Sequence, residues 1–492
     1  MTETTRAAGT ARVRRAVIIG GGLAGMLAAA AVQDSVTETV ILERDVLPAR
    51  PERRKGLPQA QHAHLLWAGG AEAIETLLPG MRRSWLEAGA RRISLPTGLV
   101  SLTAQGWFRR WQETQYMIAC SRDLLDWAVR IRVLALPGVS LLERTELLEL
   151  TGSASRMTGV RYRDSTGSEQ HLEADLVVDA SGRGSRAPVL LNRLGIYGVR
   201  EKQIDSGLVY ATRIFRAPAD SSDFPLVNVQ SNAREPRPGQ SATIVPIEGH
   251  RWLVTLSGTR GGEPSGDPEA FEDFARSVRH PVVAELIAGA EPLTDVVVSR
   301  STVNRRRYFE SVRHWPDGFV VLGDAVASYN PVYGHGMSVA AQGAVALRHC
   351  LHGSSLDARG LARRVQRAVA RPVSVAWNLS TGQDIFYPDV TGGSPTVVDR
   401  VLGRYVDRLQ QTATGSFRVS AALVDVMTLQ APVTRLVRPD VVLAAVRGPL
   451  RPPLDRPPLT HVERAVATRH ARSASAGTDS GKGLDDSSPT PQ

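Results

Sequence analysis

The sequence predicts an α/β protein (α+β overall): a Rossmann-like domain, an inserted antiparallel β-sheet domain and a C-terminal helical region. Three observations carry this. Short apolar runs recur at Val17-Ile18-Ile19, Val40-Ile41-Leu42, Val177-Val178 and Phe319-Val320-Val321, each near a glycine or an acid, as buried parallel strands do. Between the last two, residues 201–299 turn β-rich and partly alternating, with a hairpin signal at Glu248-Gly249-His250. After Leu347 helical patterns run to about Ala445, broken at Gly392-Gly393-Ser394-Pro395.

At 492 residues the chain exceeds one ordinary domain. The expected division is a nucleotide-binding domain in three pieces, 16–98, 115–200 and 300–355, with a substrate-binding β lobe from 99–114 and 201–299. A helical region over 356–447 follows, flanked by a disordered start, 1–15, and a proline-rich, disordered tail, 448–492. A hydrophobic content of 42% with 22% charged residues describes a soluble globular protein. Cys120 and Cys350 are too few for a disulfide framework or a Cys-rich metal site, so a reducing cytoplasm is expected. Arg12 to Val32 has the basic and apolar parts of a signal peptide, but its glycines fall in a nucleotide-binding spacing and a buried strand follows. No other run is long and apolar enough to span a bilayer.

The net charge of +10 comes almost wholly from arginine; Lys55, Lys202 and Lys482 are the only lysines. Solvated arginines explain it, as does a basic face for dinucleotide phosphates or an acidic carrier protein. No helix-turn-helix, zinc or RNA-binding signature accompanies the charge, which argues against nucleic acid.

The chemistry-bearing motifs sit at the ends of the apolar runs. Gly20-x-Gly22-x-x-Gly25 makes a tight turn, admits a pyrophosphate and lets helix and strand pack closely. Eighteen positions after Gly25, Glu43 ends the second strand where a carboxylate for the adenosine ribose belongs, with Arg44 beside it. The loop Arg53 to Leu66 is dense in functional groups. Lys55 and Gln59 are expected near a bound cofactor, and His62 and His64 either cover it or simply pack. The His-x-His pair has no third ligand in view, so no metal is expected. Ser121 caps a helix whose first turn holds Arg122, an odd place for a cation unless it faces an anion. The strand Phe319 to Leu322 ends at Gly323-Asp324, a carboxylate for a sugar-like hydroxyl; then Pro331, Gly334, Gly336 and Met337 lead into an alanine-rich helix start rich in N–H donors. Such an arrangement suits a flavin. Trp107, Tyr210, Thr212 and Trp252 mark a candidate apolar pocket, though aromatics there also serve to pack sheets.

With these segments in this order, the chain resembles a single-component FAD monooxygenase of the para-hydroxybenzoate hydroxylase fold. The resemblance implies ADP on Gly20, Gly22 and Gly25, ribose on Glu43, pyrophosphate on Arg122, ribitol on Asp324, and the isoalloxazine ring against Pro331 to Met337. The family's middle motif, Asp-Gly-x-x-Ser-x-x-Arg, is here Asp179-Ala180-Ser181-Gly182-Arg183-Gly184-Ser185-Arg186. NADPH is the implied reductant, bound directly or replaced by a flavin reductase. A closer likeness is to the polyene epoxidases of polyether biosynthesis, carried by Arg54-Lys55-Gly56-Leu57-Pro58-Gln59, His62 to Trp67, Tyr210 to Arg213 and Asn330 to Ser338, among others. It implies epoxidation of a linear polyene polyketide by O2 through a flavin C4a-hydroperoxide, with an acyl carrier protein as a possible partner. Aromatic hydroxylation is the rival. Halogenation lacks a Trp-x-Trp-x-Ile-Pro stretch, and a flavin-free scaffold would make Glu43, Arg122 and Asp324 coincidences.

Overall fold

The structure is a computed structural model describing residues 13–465, except Asp220 and Ser222, with only the backbone at Pro58. The first residues and the end of the tail, both expected to be disordered, lie outside the described residues. At the centre is a five-stranded sheet in the order Phe319–Val321, Leu176–Asp179, Arg15–Ile19, Glu38–Leu42, Val139–Leu142. Every neighbouring pair is parallel. Both faces are covered, which is why the strands read as unbroken apolar runs. The helix Leu23–Val32 lies on this sheet and is buried along almost its whole length. It packs between the helices Arg122–Leu134 and Gly336–Leu351. A Cβ at Gly25 would overlap the carbonyl oxygen of Gly20, so glycine is the residue that lets this helix start so close to its strand.

The edge strand Phe319–Val321 is finished by a side chain. Buried Gln366, from the helix Leu361–Asp384, accepts from Val321 N at 2.9 Å and donates to Val321 O at 3.3 Å. A ladder edge that would otherwise lie unpaired under a helix is thus closed.

The inserted lobe is a seven-stranded sheet ordered Val297–Ser299, Val209–Arg216, Arg251–Gly258, Gln240–Ile247, Leu226–Val229, Leu99–Thr103, Gly106–Trp107. It is antiparallel except where Leu226–Val229 runs parallel to Leu99–Thr103. The expected turn joins its longest hairpin, with Gly249 at φ +70° and His250 at φ +50°. Alternation sorts the two faces. Trp252, Val254 and Leu256 join a core with Phe215, Phe271 and the helix Val282–Ile287. Leu253 and Val245 face the other way, towards Ile93, Met117 and Trp67 of a three-stranded sheet and Val424 of the helix Phe417–Met427. That three-stranded sheet, Leu65–Trp67, Gln115–Ala119 and Arg91–Leu95, bridges the two lobes.

The C-terminal region is helical as expected, with Leu361–Asp384, Val397–Ala413, Phe417–Met427 and Pro439–Arg447. Thr396 and Asp399 form a reciprocal capping box at the start of the second. No helix among the described residues is long and apolar enough to cross a membrane.

Gln366→Leu keeps the shape but strands a buried N–H and C=O of Val321. Equilibrium urea unfolding is expected to show a loss of about 2–4 kcal/mol.

Candidate functional site

A cleft of about 720 Å³ opens at the carboxyl ends of the parallel strands. Gly20, Gly22, Glu43 and Arg44 line one end, Arg122 and Asp324 the middle, and Pro331, Gly334, Gly336 and Met337 the other. Gln59 also reaches the wall. Gly25 does not; its place is the helix–strand contact described above. Lys55 is exposed and stands off the cleft.

Each lining residue is held by the end of an element. Gly20 has φ +98°, and a Cβ there would meet Ala180 O at 2.7 Å. Gly22 caps the helix with no side chain, and its Cβ position faces only the Arg54 guanidinium at 3.9 Å, so the backbone N–H groups open onto the cleft. Glu43 is 3% exposed. One of its oxygens accepts from Gly21 N at 2.7 Å and is paired with Arg54; the other accepts from Asp45 N at 2.9 Å. Arg54 also reaches Asp45 at 3.3 Å. The expectation named Lys55 in this basic run, but it is Arg54 that the loop turns inward.

Ser121 caps the next helix by accepting from Leu124 N at 3.2 Å. Arg122 is oriented by Asp126 one turn on, Nε to Oδ1 2.8 Å, and lines the cleft in front of it. Across the gap, Asp324 sits 3.8 Å from the Cβ position of Gly336, beside the start of the helix Gly336–Leu351. Burial raises the Asp324 pKa above the ordinary carboxylate value; Arg183, Arg122 and Arg305 oppose that. At the far end Asn330 accepts from Val332 N at 3.2 Å and starts the turn that delivers Gly334 in a left-handed conformation, φ +66°. His335 then donates from Nε2 to Met427 O at 3.1 Å, tying this turn to the C-terminal helices.

The sheet face nearest the turn carries Tyr210 and Thr212. Tyr210 donates to Asn330 Oδ1 at 3.1 Å, and Thr212 lies 2.7 Å from His62 Nδ1 and 2.9 Å from Thr255. Trp107 and Trp252 are placed elsewhere. They occupy the core on the opposite face of the sheet, Trp107 edge-on to His280 and Trp252 against Phe224 at 4.8 Å. Two residues apart in a strand share a face and one residue apart do not, so the aromatics fall on the helix-covered side. Ser301 and Tyr329, which no sequence motif singled out, also line the cleft, as do Arg183 of the middle motif and Leu65 of the loop Arg53 to Leu66. Arg183 folds back onto the carbonyls of Ser301 and Val303, the latter at 2.8 Å.

The histidines here are neutral at pH 7. Burial lowers His62 and His335 to about 4 each, and His64, also lowered by burial and then by Arg122, to about 3. Folding therefore releases protons below pH 6.5, where the unfolded chain holds them. Stability is expected to be complete above pH 7 and to fall as pH drops through 6.5 towards 4, by on the order of 3 kcal/mol for each of His62 and His335. Urea midpoints between pH 7.5 and 4.5 check the slope, and His62→Asn is expected to flatten it.

The donor set fits a dinucleotide: two helix starts, two carboxylates for sugar-type hydroxyls, Glu43 and Asp324, and Arg122 in the same cleft. Comparison with known proteins agrees. The family described as FAD binding domain matches residues 14–354. Protein Rv3254 of Mycobacterium tuberculosis is 31% identical over 391 residues, covering 76% of this chain and 81% of that one. A kynurenine 3-monooxygenase of Salinispora arenicola is 29% identical over 387 residues, covering 74% and 79%. The structure of the flavin-dependent brominase Bmp2 superposes with a TM-score of 0.59 at 15% identity, covering 84% of this chain and 92% of that one, a likeness of fold. The chain therefore belongs to the FAD binding domain family, with FAD as its cofactor.

Proposed function

We propose that the protein epoxidises carbon–carbon double bonds of a linear, apolar polyene polyketide, as a cytoplasmic enzyme of polyether-type biosynthesis. The observation that carries this reading is a run of apolar and neutral side chains and backbone in the cleft wall around the turn before the helix Gly336–Leu351, with Asp324 and Arg183 the charged groups beside it. Leu65, Tyr329, Asn330, Pro331 and the turn Gly334–Met337 form it, with His64 and His335 neutral. Behind them lies the apolar layer of Trp67, Met117, Val245, Leu253 and Val424.

In this reading Gly20, Gly22 and the helix start behind them hold the ADP half of FAD, and Glu43 takes ribose with the lone pairs that Gly21 and Arg54 leave. Arg122 holds pyrophosphate and Asp324 a ribitol hydroxyl. The free N–H groups at Gly336 and Met337 meet the electron-rich edge of the ring, where a helix start favours negative charge. When bound, the flavin supplies electrons to O2 and transfers one oxygen atom, the other leaving as water. An alkene is itself the nucleophile, so the chain needs no base. Its task is to orient the double bond and keep water out. NADPH is the source of electrons, directly or through a reductase, and the substrate arrives free or on an acyl carrier protein.

A second reading, hydroxylation of an aromatic ring, is supported by the similarity to a kynurenine 3-monooxygenase. Halogenation gains less: Lys55 and Lys202 are exposed and neither lines the cleft.

Purified protein is expected to be yellow and to release FAD on denaturation; colourless folded protein sinks the assignment of the cleft. Asp324→Ala is expected to weaken FAD binding roughly ten- to a hundredfold, measured by fluorescence titration, the loss of one charge-assisted hydrogen bond. Incubation with a linear polyene, NADPH, a reductase and ¹⁸O₂ is expected to place one labelled oxygen in each epoxide formed. Label found only on aromatic substrates defeats the alkene reading in favour of the second.

A further inference from the structure

Beneath the turn Asn330–Tyr333 lies a carboxylate that neither the cofactor contacts nor the alkene chemistry uses. Asp384 is the last residue of the helix Leu361–Asp384 and is 0% exposed. Its Oδ2 accepts from Asn304 Nδ2 at 2.6 Å and Asn330 Nδ2 at 3.0 Å, and its Oδ1 from the Tyr333 hydroxyl at 2.6 Å. Backbone donors fix the orientation of both amides. Asn304 Oδ1 accepts from Asn330 N at 2.7 Å, and Asn330 Oδ1 accepts from Val332 N and from Tyr210. Both Nδ2 groups are thereby committed to Asp384. Three donors converging on two oxygens is the solvation of an anion.

That anion has no cationic partner among the described residues. Its hydrogen bonds all come from neutral groups, and the charge that acts on it most is another carboxylate, Asp205. Burial raises its pKa, and the bonds from Tyr333, Asn330 and Asn304 pull it back. Its own helix adds the negative end of a dipole. Burying a lone charge is costly, and replacing it with an apolar or neutral group is commonly neutral or stabilising, so its presence here calls for a use. Asn330, one side chain away, lines the cleft, and Tyr210 carries the same network into the sheet of the inserted lobe.

We infer that Asp384 is a positioning residue with an electrostatic role: it sets the conformation of the turn against the flavin ring and, by its fixed negative charge, holds the potential of the bound FAD low. The inference rests on the proposed placement of the ring against Pro331–Met337. Two-electron reduction adds negative charge to the ring. The helix start at Gly336 favours that charge, and Asp384 opposes it from the other side of the turn. A lower potential makes the reduced cofactor a stronger donor to O2.

Asp384→Asn separates the charge from the hydrogen bonds. The amide oxygen accepts from Asn304 and Asn330, and the new NH2 donates to the Tyr333 oxygen, so the network survives without its charge. In the FAD-loaded, full-length protein, the midpoint potential measured against a reference dye is expected to shift positive, with FAD content unchanged. Asp384→Ala removes the network as well and is expected to lose FAD. Asp357→Asn, an exposed carboxylate paired with Arg156, is expected to leave the potential where it was. Tyr333→Phe withdraws one donor but keeps the charge, now less compensated, and is expected to move the potential negative. This variant serves if Asp384→Asn does not fold, and a positive shift or none from it overturns the inference. A yellow Asp384→Asn protein with the wild-type potential overturns the inference while leaving the FAD assignment standing. A colourless wild-type protein overturns the FAD assignment instead.

Discussion

The cleft depends on backbone meeting backbone at the carboxyl ends of the parallel strands. Gly20 lies against Ala180, Gly25 against Gly20, and a side chain at Gly323 would strike Ala24 at 2.6 Å. These contacts pull three strand ends and the starts of two helices, Leu23–Val32 and Gly336–Leu351, around one space. Side chains are absent there, so unpaired N–H groups and two positive dipole ends form the wall. An anionic dinucleotide is the ligand such a wall recognises, and the FAD binding domain family is what the chain belongs to.

Carboxylates then divide the work by how they are solvated. Asp179 is saturated locally, by Ser181 N at 2.9 Å, Ser181 Oγ at 2.5 Å and Ser185 Oγ at 2.7 Å. This accounts for the altered middle motif: both serines are spent on Asp179, and Arg183 is spent on carbonyls. Glu43 is shared between the glycine turn and Arg54. Asp324 receives no side-chain or backbone hydrogen bond among the described residues and stands open to the cleft. Asp384, by contrast, is enclosed by three donors from two segments, Asn304 on one and Asn330 and Tyr333 on the other.

The inserted lobe separates stability from recognition by the period of its strands. Its helix-covered face takes the large aromatics Trp107, Phe215, Phe224 and Trp252. The opposite face offers hydroxyls and aliphatic side chains to the turn Asn330–His335. The helix Phe417–Met427 closes that side through the His335 contact with Met427 O, so the C-terminal helices form part of the site's enclosure.

By itself the sequence determined the parallel sheet, the glycine turn, Glu43, the Ser121 cap with Arg122, and the Asp324-to-Met337 stretch, because each is a local pattern whose chemistry is complete within a few residues. It also set the order of lobes, since a change of hydrophobic period is visible along the chain. Only the tertiary structure decided which member of a basic run turns inward, because Arg54 and Lys55 differ by one position and the choice belongs to Glu43, a distant partner. It decided that Trp107 and Trp252 face a core, since the side of a sheet that helices will cover is not written in the strand. And it alone brought Asn304, Asn330, Tyr333 and Asp384 together: this buried polar network is assembled from a strand, a turn and a helix end far apart in the chain, and no one segment carries its signature.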